Sequence, residues 1–126
     1  MSIETYWLDS TQNTLIVEYP ETFTIPEMMG VFEVGGAFMD SVDHPVIWII
    51  DMRSVKTVPQ KMLSSFPQMA RHPSIGHPNM DLTIMIMNEG LVNRLASIFS
   101  TVYLKLEIVS DWDSALELAK RQIAVR

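Results

Sequence analysis

The chain has 126 residues, 48% of them hydrophobic and 19% charged, enough for one domain with a substantial core and unlike a disordered polymer. The formal net charge is −6; the acidic residues are spread along the chain, and the basic ones read as scattered, with no cluster longer than Lys120-Arg121. That pattern excludes a concentrated phosphate-binding face for nucleic acid and disfavours an anionic membrane surface. With no cysteine, disulfides, thiol catalysis and thiolate-bound metals are also excluded.

The N-terminus, Met1-Ser2-Ile3-Glu4-Thr5, does not read as a signal peptide. No apolar run approaches the ~20 residues of a membrane span. A cytoplasmic protein that is not integral to a membrane is therefore expected.

Ile3 to Leu8 and Thr14 to Tyr19 read as short strands, and the turn-rich link Asp9-Ser10-Thr11-Gln12-Asn13 makes them an antiparallel hairpin. Pro20 ends the second strand. Thr24 and Glu27 match a capping box with Pro26 in the first helical turn. The helix that follows carries Met28, Phe32, Gly35 or Gly36, and Met39 on one face, and ends before Asp43-His44-Pro45.

Val46 to Ile50 is an apolar run closed by Asp51, the pattern of a strand buried on both faces. A short polar loop leads to a helix starting near Pro59, with Met62, Leu63, Phe66, Met69 and Ala70 inward. Pro67 should kink or break it. Arg71 to Asn79 reads as loop, Leu82 to Met87 as a second buried strand, and Asn88 as the cap of a helix carrying Leu91, Leu95, Phe99 and Val102. Leu104 to Val109 reads as a strand nearer an edge. Ser110 with Asp113 resembles a capping box, opening a last helix with Trp112, Leu116, Ala119 and Ile123 buried. The order is ββαβαβαβα: an α/β domain over residues 1–126 with a mixed, mainly parallel sheet.

Few residues carry chemistry. Gly30 to Gly35 has phosphate-loop spacing, but Gly36 and Ala37 stand where Lys and Ser or Thr belong, inside a helical pattern. Close packing on the sheet, or against a second subunit in a symmetric dimer, accounts better for these glycines. His72, His77 and Asp81 are too few and too proline-broken for a metal site, so a solvated loop is expected and no metal or other cofactor is assigned. The methionines read as core filler, with an apolar pocket as the alternative. Asp51, Arg53, Ser54, Asn88, Ser110 and Asp111 all follow predicted parallel strands and should gather at the carboxyl edge of the sheet, where α/β folds place function. Helix capping and a local Asp51–Arg53 ion pair would also explain them.

The segments VIWIIDMRSVKTVPQKML, LTIMIMN and LEIVSDWDSALELAKR resemble the STAS domain, the SpoIIAA-like fold of anti-sigma-factor antagonists. The resemblance implies a phosphoacceptor near Pro59-Gln60-Lys61-Met62, where this chain has no hydroxyl. Ser54 and Thr57 come too early, and Ser64 and Ser65 about a turn too late. It therefore implies the fold without the phosphorylation switch. A non-enzymatic module binding a protein partner through Arg53 to Phe66, Lys61 included, with the Asn88 turn alongside, is the first functional reading. A carrier or sensor of a small apolar ligand is the second. An enzyme using Asp51 or His77 as acid or base is the third.

Overall fold

A computed structural model describes residues 3–90 and 105–125, with only the backbone of Leu63 and Phe66. The strands are β1 (Glu4–Trp7), β2 (Thr14–Glu18), β3 (Val46–Asp51), β4 (Met80–Ile86) and β5 (Leu106–Val109). The helices are α1 (Ile25–Asp40), α2 (Met62–Ala70) and α3 (Trp112–Ala124), with a 3-10 turn at Pro73–Gly76. The sheet order is β1-β2-β3-β4-β5. β1 is antiparallel to β2, and the other pairings are parallel. This is the mixed α/β sheet expected from the sequence. The helix expected after Asn88 lies, beyond residue 90, outside the described residues. No described helix is long and apolar enough to cross a membrane.

The central strands β2, β3 and β4 are apolar over most of their length because alternate side chains enter different cores. Leu15, Val17, Trp48, Ile50, Met85 and Met87 join α1 and α2 on one face. Ile16, Ile47, Ile49, Ile84 and Ile86 share the other face with Ala115 and Ala119 of α3. Trp112, Leu116 and Ile123 are only half-buried, and Ala115 lies deeper than any of them. Methionines fill irregular space as expected: Met28, Met39, Met62, Met69, Met85 and Met87 are buried, as is Met52.

The Thr24–Glu27 capping box is present, with reciprocal bonds of 3.2 and 2.9 Å. One glycine sets how low α1 sits. A Cβ at Gly35 would lie 2.4 Å from Cη2 of the fully buried Trp48, so no other residue fits without displacing the indole. Gly36 faces Ser74 at ordinary contact distance. Gly35 thus serves packing within the chain, whereas a methyl group would be accommodated at Gly36.

α2 differs from expectation. It starts at Met62, three residues after Pro59, with Lys61 as a cap that contributes no side-chain bond. The preceding chain is held elsewhere: Val55 and Met52 are buried, and the Lys56 and Thr57 N–H groups donate to the Glu21 carbonyl at 2.9 and 3.3 Å. Pro67 does not break the helix, which continues to Ala70 with Met62 and Met69 both seated in the core. Ala70 is exposed, not inward.

Replacing Gly35 by Ala should destabilise the fold by about 1–3 kcal/mol through overpacking on Trp48. Gly36→Ala, which meets nothing closer than 3.5 Å, should be neutral or stabilising through helix propensity. Denaturant midpoints of the two variants provide the comparison.

Candidate functional site

Because β2 to β5 run parallel, their carboxyl ends share one edge. Glu18 pairs in register with Asp51, Asp51 with Ile86, and Ile86 with Val109. Asp111 opens α3 just beyond. β1 runs the other way and sets Glu4 opposite Glu18.

The centre of this edge is a fork between Asp51 and Arg53. The Arg53 Nε and Nη2 donate to the two Asp51 oxygens at 3.0 and 2.7 Å, and the Arg53 backbone N–H adds a third bond at 3.0 Å. The guanidinium carbon also sits 5.7 Å from the Trp112 ring centroid, tying the end of β3 to the start of α3. Burial alone would raise the Asp51 carboxyl; the bonds and charge of Arg53 outweigh that and hold it below the ordinary range. The same pairing raises Arg53. Asp111 is lowered, first by the Ser114 N–H it accepts at 2.7 Å and to a lesser degree by the charge of Arg53. Tyr6 donates its hydroxyl to Glu18. Burial, that bond and the charges of Glu18, Glu4 and Asp51 push the phenol up to about 12.

Of the residues expected to act at this edge or beside it, the structure brings Asp51, Arg53 and Asp111 together. Ser54 is exposed in the next turn, Lys61 is exposed at the start of α2, and Asn88 is exposed after β4. Asp111, not Ser110, caps α3: its carboxylate reaches the Ser114 N–H, while Ser110 stays outside the helix. Ser64 and Ser65, expected a turn too late, stand in the first turn of α2 because the helix starts later. Both hydroxyls donate to the Lys61 carbonyl, at 3.0 and 2.8 Å. Glu18, Tyr6 and Trp112 belong to the edge but were not foreseen as site residues; Glu18 closing a strand and Trp112 following Asp111 were the available signals.

A carboxylate lowered in this way and already accepting three bonds is a poor proton acceptor at neutral pH. His77 is not on this edge at all, since it precedes β4. Nor is its loop simply solvated. The Nδ1 atoms of His72 and His77 accept the N–H groups of Ser74 and Asn79, at 3.1 and 3.0 Å. Their Nε2 atoms therefore carry the proton and donate to Glu33 and Asp40 of α1, at 2.9 and 2.7 Å. The imidazoles are 14% and 15% exposed, and each locks a His-Pro turn onto α1. Asp81 lies apart, bound by Gln122 and paired with Lys105.

A groove of about 480 Å³ opens beside the edge, lined by Met87, Glu89, Ile108, Val109, Ser110 and Ser114.

The Asp51–Arg53 fork has a pH signature. The folded Asp51 carboxyl lies below its unfolded value of about 3.9, so its stabilisation is complete above about pH 4 and is lost as pH falls through the lower folded value. Arg53→Met should raise the Asp51 titration midpoint in carboxyl NMR and flatten the acid limb of stability.

No family model matches the sequence, and no curated protein matches it. Among solved structures, an anti-sigma-factor antagonist (STAS) domain protein from Planctomyces limnophilus superposes with a TM-score of 0.61 at 11% identity. The match covers 95% of this chain and 99% of that one. At such low identity the likeness concerns architecture, and on that ground the chain has the STAS, or SpoIIAA-like, fold.

Proposed function

We propose that this protein is a non-enzymatic regulatory module of the cytoplasm that binds a protein partner through the surface from Arg53 to Phe66, with the Asn88 turn beside it. The observation that carries this reading is the anchored β3–α2 connection. Met52 and Val55 are buried, and Glu21 holds the following backbone, so Arg53, Ser54 and Lys56 are displayed on a fixed loop. Recognition residues on a pre-ordered loop bind without a large ordering cost. An antagonist of an anti-sigma factor, as the Planctomyces protein is described, acts on another protein, which agrees with this reading. Positions 59 to 62 contain no hydroxyl, and those of Ser64 and Ser65 are engaged with the Lys61 carbonyl. The module therefore works without the fold's phosphorylation switch.

Reversing two cations tests the surface. Arg53→Glu with Lys61→Glu should reduce capture of the partner by at least tenfold in quantitative affinity mass spectrometry, the scale of losing a desolvated charge pair. Circular dichroism should stay unchanged, and equal capture by the double variant would move the interface elsewhere.

The groove beside β4 and β5 favours a second reading, in which a small apolar ligand binds at the same edge. On that reading, native mass spectrometry of fresh protein would show a bound species, displaced when Ile108 is replaced by Asp. A ligand-free spectrum with no thermal shift from fatty acids would dismiss it.

A further inference from the structure

The chain divides sharply by charge. Residues 1–52 contain nine Asp and Glu and no Lys or Arg, whereas all nine Lys and Arg lie from Arg53 onward. The basic residues are thus not scattered. In the fold, the anionic part comprises β1, β2, α1 and β3, with β1 at the edge of the sheet.

We propose that the outer edge of β1 and the groove between it and α1 receive an extended, cationic segment of a partner protein, which adds to the sheet as a further strand. Three features converge here. The first is the free main chain. Leu8 N–H donates to Thr14 O, which makes Leu8, Tyr6 and Glu4 the residues bonded to β2. Ile3, Thr5 and Trp7 then turn their N–H and C=O groups outward, where no described strand pairs with them.

The second is a receptacle on the α1 face. A groove of about 190 Å³ is lined by Ile3, Thr5, Glu27, Gly30, Val31 and Val34. Val34 is 46% exposed, and the space above Gly30 is open, with nothing within 4 Å of a Cβ placed there. An added strand would lay every second side chain into this groove.

The third is charge on the opposite face. Glu4, Glu18 and Asp51 stand side by side across three neighbouring strands, since Glu4 pairs with Glu18 and Glu18 with Asp51. Arg53 neutralises the inner end, and Tyr6 donates to the middle carboxylate. The outer end, Glu4, faces the vacant strand position. Like charges opposite one another destabilise a sheet, and a Lys or Arg beside Glu4 would relieve that repulsion. The occupant is thus an alternating sequence, apolar toward α1 and basic toward Glu4. A second copy paired through β1 would bring another anionic part with no Lys or Arg to set beside Glu4, so the charge argues for a different chain.

The test uses the full-length, isotope-labelled protein and a capped heptapeptide alternating Lys and Val. The Thr5 and Trp7 amides should shift and gain exchange protection on titration. The dissociation constant should weaken severalfold from low to physiological salt, as screening requires. Peptides with Glu for Lys, or Pro for the central Val, should not bind. Gly30→Leu, which fills the groove from an open position, should weaken binding at least tenfold with the melting temperature unchanged or raised. The Lys61→Glu variant, altered on the partner surface proposed above and not in this row, should bind as the wild type does, which separates this edge from that surface. Shifts confined to other elements, equal binding of the Glu peptide, or protection of Thr5 and Trp7 by dimerisation without peptide would each overturn the proposal.

Discussion

The contact between Gly35 and Trp48 governs how the rest of this molecule is arranged. Trp48 is fully buried in the middle strand of the sheet, and its six-membered ring occupies the volume a side chain at position 35 would need. α1 can therefore lie close enough for Phe38 to meet Trp7 edge to face, with ring centroids 5.3 Å apart. The same depth brings Glu33 and Asp40 within reach of His72 and His77. Asn79 completes the attachment by donating to the carbonyls of Met39 and Val42, both at 3.1 Å. A shift of α1 away from the sheet would loosen all of these at once, because close-packed interiors do not deform continuously.

The two ends of the sheet use charge in opposite ways. At the amino end, imidazoles bond through both ring nitrogens, with a backbone N–H on one side and a carboxylate on the other. That arrangement fixes the orientation of each ring and orders a proline-rich segment with few apolar anchors. At the carboxyl end, a full ion pair sits under an indole ring. Arg53 there serves several partners: both oxygens of Asp51, the face of Trp112 and the field of Asp111. The fork is half-exposed on the arginine side, so its role is geometric as much as energetic. It fixes the direction in which the chain leaves β3.

Features set by near neighbours in sequence were legible. Thr24 and Glu27 are three residues apart, and Val46 to Ile50 is too apolar for anything but two-sided burial. Features set by distant partners were not. The start of α2 depends on the Glu21 carbonyl, which the sequence separates from Lys56 and Thr57 by more than thirty residues. His72 and His77 find carboxylates 39 and 37 positions away. Ser110 and Asp111 are both good caps by residue type, and in the fold the Asp111 carboxylate takes the Ser114 N–H. The segregation of charge was fully legible but hidden by the total: a net of −6 conceals a first part with no cation other than histidine.

That segregation bears on how this fold divides its labour. The carboxylates of Glu18 and Asp51 lie side by side at the end of a buried sheet, an arrangement that costs energy unless a cation or donor is near. Arg53, the first cation in the sequence, arrives directly after β3 and makes the inner pair tolerable, while Tyr6 supports Glu18 from β1. Nothing comparable reaches Glu4 among the described residues. A strand edge is ordinarily protected by a charge of its own, and Glu4 does discourage pairing with another acidic edge. The same charge favours pairing with a basic one. Protection against self-association and selection of a cationic partner are therefore two consequences of a single residue placed at the outer end of an incompletely neutralised row.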